Sequence, residues 1–181
     1  MARKIQKKTH LQILHSKPTV AQVKKFKRLP VVIVLDNLRS LYNVGSIFRT
    51  ADALLIEKIY LCGITGSPPN KQIEKVALGA VETVPFECFE KVDEVIKMLK
   101  KEGRQIVTVE LTDQSKNYRE AEYQFPLALV LGNEIDGVQE EVVENADLAV
   151  DIPMKGRANS LNVATAMAVV AYEIAAKYGN S

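Results

Sequence analysis

Five polar residues at three places in the chain have the types and spacing to handle a polar or phosphorylated ligand. They are Asn43 and Arg49 in SLYNVGSIFRTADAL, Glu134 in LALVLGNEIDGV, and Ser160 and Asn162 in DIPMKGRANSLNVATAMAVV. The Arg49 guanidinium is a rigid fork that matches phosphate oxygens, and equally a carboxylate. Asn43, six residues earlier, has the type and position of a helix N-cap. Glu134 follows Gly132-Asn133 and precedes a turn signal, Asp136-Gly137. Ser160 reads as another N-cap and Asn162 as a polar first-turn residue. Each residue thus has its own structural explanation. None of these explains why all five fall where a strand-like run meets a helix-like run, the place where open α/β sheets hold their ligand crevices.

Several other chemistries lack their residues. No GxGxxG follows the first strand-like run and no GxxxxGK[ST] occurs, which disfavours a dinucleotide-binding dehydrogenase or a P-loop NTPase. HExxH and an EF-hand loop are missing, and Glu134 with Asp136 does not make a metal site, so no metal is expected. No GxSxG elbow occurs, and no Ser-His-Asp set is plausible, since both histidines, His10 and His15, lie in the N-terminal leader.

The elements that must position the five residues follow from periodicity. Val31–Leu35 is a continuous apolar run, the mark of a strand covered on both faces. A helix is predicted over 43–55, a strand over 58–64, a Gly/Pro loop over 65–70, a helix over 71–79 and a strand over 81–89. Then come a helix over 90–101, a strand over 105–111, a polar connector over 112–124 and a strand over 127–131. A helix over 138–145, a strand over 148–152 and a helix over 160–178 complete the chain. Such alternation predicts a mostly parallel sheet of about six strands with helices on both faces. The last helix is apolar nearly all round, so it must be buried centrally or in a subunit interface.

The 181 residues fit one domain, with 47% hydrophobic and 25% charged residues. Residues 1–30 carry nine Lys/Arg (Arg3, Lys4, Lys7, Lys8, Lys17, Lys24, Lys25, Lys27 and Arg28) and no acid. That leaves 15 of the 24 basic residues against all 22 acidic ones in the remainder, a net of −7. A basic leader on an acidic body suits a polyanion, with nucleic acid ahead of a merely solvated tail. Lys17-Pro18 splits the leader into two short helices, over 4–15 and 19–28. Cys62 and Cys88 read as small core residues of a reducing compartment. The absence of an apolar signal region and of a membrane-length apolar run predicts a cytoplasmic protein with no membrane role.

The three motifs closely resemble those of the SpoU-type (TrmH-like) RNA 2′-O-ribose methyltransferases of the SPOUT superfamily, over about residues 31–178. Asn43-Val-Gly-Ser-Ile-Phe-Arg49-Thr-Ala is similar to the first family motif and Leu131-Gly132-Asn133-Glu134-x-x-Gly137 to the second. Ile152-Pro153-Met154 with Ser160-Leu161-Asn162-Val163-Ala164 is similar to the third. The resemblance implies a C-terminal trefoil knot, an obligate homodimer, and S-adenosylmethionine (SAM) converted to S-adenosylhomocysteine. It implies Gly132, Ile152 and Leu161 as cofactor contacts, with Leu131 and Met154 nearby. Asn43, Arg49, Glu134, Ser160 and Asn162 would form the polar active site, with Arg49 on the substrate phosphate and hydroxyl and Glu134 holding the loops or Arg49. The substrate would be tRNA or rRNA, reached through a methyltransferase domain over 31–181 and a leader over 1–30 in contact with RNA. Many relatives carry a separate N-terminal RNA-binding domain, where this sequence has the basic leader. A base methyltransferase of the same superfamily, a catalytically silent RNA-binding module and a flavodoxin-like small-molecule binder are the competing readings.

Overall fold

A computed structural model describes residues 5–9, 11–12 and 16–179. His10, His15, Arg3, Lys4 and part of the expected leader helix over 4–15 lie outside the described residues. The second leader helix shrinks to one turn, α1 (Val20–Val23), held by a reciprocal Thr19–Gln22 capping box. Arg28 is not a free leader cation: its guanidinium donates to the main-chain carbonyls of Ile56 and Thr83.

Among the described residues seven strands form one sheet: β1 (Leu29–Asp36), β2 (Ile56–Cys62), β3 (Phe86–Phe89), β4 (Gln105–Val109), β5 (Lys116–Asn117), β6 (Leu127–Leu131) and β7 (Leu148–Asp151). Their order is β3-β2-β1-β6-β4-β7-β5, and every pairing is parallel. The expectation of six strands is corrected by β5. Two residues inside the polar connector pair with the end of β7, Lys116 opposite Val150 and Asn117 opposite Asp151, and so short a strand carries no periodicity. The strand expected over 81–89 keeps only its last four residues. Ala80–Glu82 is a 3-10 turn, reached through left-handed Leu78 and Gly79.

The helices are α2 (Leu41–Ala53), α3 (Lys71–Ala77), α4 (Val92–Lys101), α5 (Glu140–Glu144) and α6 (Val163–Gly179). Alternate residues of the buried strands face opposite cores, as a pleated strand requires. Val31, Ile33 and Leu35 pack with Ile47 and Phe48 of α2, Ile73 of α3, and Met167 and Val170 of α6. Val32 and Val34 face the other way, onto Val95 and Leu99 of α4 and Val142 of α5. Helices therefore cover both faces, as the alternation predicted.

The apolar α6 buries Ala164, Ala166, Met167, Val170, Ala171 and Ile174, while Tyr172 stays 55% exposed. Cys62 is buried, but Cys88 is exposed, which corrects its assignment to the core. It sits on β3, an edge strand whose middle residues face solvent. Among the described residues no helix is long and apolar enough to cross a membrane.

Candidate active site

Three loops at the C-terminal ends of β4, β6 and β7, with the entry to α6, enclose a cavity of about 530 Å³. That volume suits a nucleoside-sized ligand. Leu131, Gly132, Ile152 and Leu161 line it, as do Glu134, Ser160 and Asn162. Asn43 joins them through hydrogen bonds rather than through the cavity wall. Met154 lies outside the lining, and so does Arg49. Arg49 is exposed on α2, about 9 Å further along the helix axis than Asn43 at 1.5 Å per residue. Among the described residues its guanidinium has no hydrogen-bond or ion-pair partner.

The polar residues form a chain whose polarity is set by chemistry. Asn162 Oδ1 accepts from the N–H groups of Ala164 (3.0 Å) and Thr165 (3.4 Å). Asn162, rather than Ser160, therefore caps α6. Main-chain N–H groups only donate, so the Asn162 amide must present Nδ2 on its other side. It donates to Asn43 Oδ1 at 3.0 Å, and Asn43 Nδ2 in turn donates to Glu134 Oε1 at 2.8 Å. An ionised carboxylate only accepts, so both ends fix the orientation of both amides. Asn43 is the third residue of α2; its N-cap is Ser40, whose hydroxyl accepts from the Asn43 N–H.

Glu134 also accepts from the N–H groups of Arg39 and Ser40, both at 3.1 Å. Partial burial pushes its pKa up. The hydrogen bonds from Asn43, Arg39, its own N–H and Ser40 outweigh that and hold the carboxyl below the usual value. Of the two expected partners for Glu134, the loop is thus the one it holds; no bond to Arg49 forms.

The residues that shape the loops do so through contacts that the sequence did not show. Asn133 is buried; its Nδ2 donates to Asn37 O, and its Oδ1 accepts from Ile135 and Asp136 N–H in a tight turn. A two-way main-chain bridge, Asn133 to Gly137, closes that turn. Gly132 has no room for a Cβ, which would overlap the Gly137 carbonyl group and Val138 N. Gly137 has φ +73° and would carry its Cβ into the Glu110 carboxylate. Asp36, buried at the end of β1, accepts from Gln139 Nε2 (2.7 Å) and Asn37 Nδ2 (2.9 Å), which seats the start of α5.

Among the described residues the lining holds Glu110, Glu134, Asp136 and Asp151 and no Lys, Arg or His. A cationic ligand with hydrogen-bond donors fits such a wall, which is the character of the sulfonium and amino groups of SAM. Among the described residues no cluster of His, Cys, Asp or Glu could hold a metal ion.

Comparison with known proteins agrees with this geometry. The profile of the SpoU rRNA Methylase family matches residues 30–172. The chain is 36% identical, over 84% of its length and 72% of the relative's, to the tRNA (guanosine(18)-2′-O)-methyltransferase of Aquifex aeolicus. It is 34% identical over 86% of its length to a Staphylococcus saprophyticus protein assigned to the TrmH family of tRNA/rRNA methyltransferases, but spans only 62% of that protein. The crystal structure of the A. aeolicus TrmH/SpoU tRNA modifying enzyme superposes with a TM-score of 0.80, at 32% identity, over 89% of this chain and 83% of that one. The AdoMet-bound rRNA methyltransferase of Sinorhizobium meliloti gives 0.78 at 30% identity, over 86% of this chain and 60% of that one. A parallel sheet with its cavity at the β4, β6 and β7 loops, a motif-bearing α2 and a match across most of the chain place this protein in the SpoU rRNA methylase family.

Proposed function

We propose that the protein transfers the methyl group of SAM to a ribose 2′-hydroxyl of tRNA or rRNA. The observation that carries this reading is the Glu134–Asn43–Asn162 chain, which joins the first, second and third motifs at the mouth of one acidic cavity. Relatives with this architecture are a tRNA ribose methyltransferase and an AdoMet-bound rRNA methyltransferase.

Gly132, Ile152 and Leu161 would hold SAM, with Leu131 beside them and Met154 just outside the wall. When bound, SAM supplies an electrophilic methyl group on a positively charged sulfur. The chain's own residues do the positioning, since the hydroxyl must approach in line and shed its proton. Ser160 and Asn162 orient the hydroxyl and the cofactor. Glu134 and Asn43 lock the loop that carries Gly132 against α2. Arg49, a guanidinium that only donates hydrogen bonds, binds the target phosphate from the exposed side of α2 and stabilises charge developing on the oxygen. The basic leader adds backbone contacts to the RNA. Arg49→Ala should abolish transfer while SAM affinity stays within about twofold of wild type. Full turnover by that variant would remove Arg49 from the mechanism.

The homodimer is part of the same reading, supported by the exposed Tyr172 beside the half-buried Val169 on the apolar α6. So is the trefoil knot: β7 lies between β4 and β5, and the segment leaving β4 must cross the end of β7 to reach β5. A cytoplasmic location fits an enzyme of tRNA or rRNA.

A further inference from the structure

Glu110 is the residue that ties the β4 and β6 loops to each other and to the end of β7. It follows the last residue of β4, and its own N–H donates to Val150 O at the end of β7 (3.1 Å). Its carboxylate reaches the β6 loop: Oε2 accepts from Val138 N–H at 2.9 Å, and Oε1 accepts from Leu111 N–H at 3.0 Å. Gly137 packs directly against this carboxylate, at a left-handed φ where a side chain would collide with it. The group is therefore held still from two sides, and it lines the cavity.

A carboxylate offers about four acceptor positions over its two oxygens. The main chain occupies one on each oxygen here, so one on each remains. Two parallel acceptors, fixed in place on a cavity wall, match a pair of adjacent hydroxyl donors. A vicinal diol can satisfy both at once, whereas a single amino or ammonium donor engages one. Asp151 lines the cavity too, but among the described residues no hydrogen bond fixes its carboxylate in place, and the other two carboxylates are less suited. Glu134 is committed to Arg39, Ser40 and Asn43, and Asp136 sits in the exposed turn. We propose that Glu110 accepts the two ribose hydroxyls of the nucleoside ligand, which makes it a specificity-determining contact as well as the tie between the loops.

The proposal rests on the cavity being the SAM site. It is tested by equilibrium binding of S-adenosylhomocysteine and its 2′-deoxy counterpart to the full chain and to Glu110→Gln. A hydrogen bond to a charged group is worth enough that the wild-type protein should prefer the ribose ligand by about tenfold or more. Glu110→Gln keeps the size of the side chain but turns one acceptor into a donor, and it should bring that preference close to one. A tie without ligand contact would weaken both ligands equally and preserve their ratio, which would overturn the proposal. Equal affinity of the wild-type protein for the two ligands would overturn it without any variant. A wild-type protein that binds neither ligand would instead overturn the SAM reading itself, and this proposal with it.

Discussion

Asn162 does two jobs with one amide, and substitutions can separate them. Its oxygen caps α6 and its nitrogen donates to Asn43. Asn162→Ala removes both. Loss of the cap costs about 1 kcal/mol, and loss of the neutral hydrogen bond to the buried Asn43 oxygen costs about 1 kcal/mol more. For a domain of this size that total of about 2 kcal/mol corresponds to a fall in Tm of about 4–8 °C. Asn162→Asp keeps an acceptor for Ala164 and Thr165, and its charge favours a helix N-terminus. It cannot donate to Asn43, so it should lose only about 1 kcal/mol and half as many degrees. Thermal unfolding at pH 7 by circular dichroism reads both variants beside wild type. A double-mutant cycle with Asn43→Ala should return a coupling of about 1 kcal/mol for Asn162→Ala. Equal losses for Ala and Asp, or a coupling near zero, would refute the two-job reading.

Other consequences follow from the same geometry. Gly132→Ala forces its Cβ onto main-chain atoms that no side-chain rotation can clear, so it should cost at least about 1–3 kcal/mol and weaken SAM binding. Gly156→Ala, with nothing within 4 Å, should leave both unchanged, and a tolerated Gly132→Ala would mean that the loop is not held as described. The Glu134 carboxyl is held below its ordinary pKa of 4.5, so its stabilisation is complete above about pH 4.5 and is lost as pH falls through the lower folded value. The Tm gap between wild type and Glu134→Gln should therefore be constant from pH 7 to 5 and close below pH 4.5; a gap that closes between pH 7 and 5 would contradict the sign. Removing residues 1–17, which takes away five Lys/Arg, should flatten the log–log salt dependence of RNA affinity by up to about 3.5, at roughly 0.7 per single-strand phosphate. An unchanged slope would mean that this part of the leader does not touch the RNA.

What could be read from the sequence divides along physical lines. Continuous runs such as Val31–Leu35 announced the central strands because burial on both faces demands them. The helix with Val92, Val95, Ile96 and Leu99 was legible from its 3.6-residue period. The two-residue β5 was not, since a strand that short has no pattern and exists only because β7 lies beside it. In the site, the motif positions pointed to Asn43, Glu134, Ser160 and Asn162, which the structure brings together at one cavity. Arg49, in contrast, stands on the outer side of α2. Glu110 was hidden inside a strand predicted to run to 111; β4 ends at Val109, and only then does that carboxylate turn toward the loops. Asn133 stood in the second motif, but its bond to Asn37 O was not legible, because it joins positions 96 residues apart. Cys88 looked apolar enough for the core, but sheet order put it on an edge.

Methylation of a ribose oxygen can be distinguished from methylation of a base by alkaline hydrolysis. The protein would be incubated with tritiated-methyl SAM and with tRNA and rRNA lacking native modifications, and the RNA would then be digested in alkali. A methylated 2′-oxygen cannot attack its neighbouring phosphodiester, so the label should appear in alkali-resistant dinucleotides, and the labelled RNA names the substrate class. Label confined to mononucleotides would place the methyl group on a base and contradict the assignment.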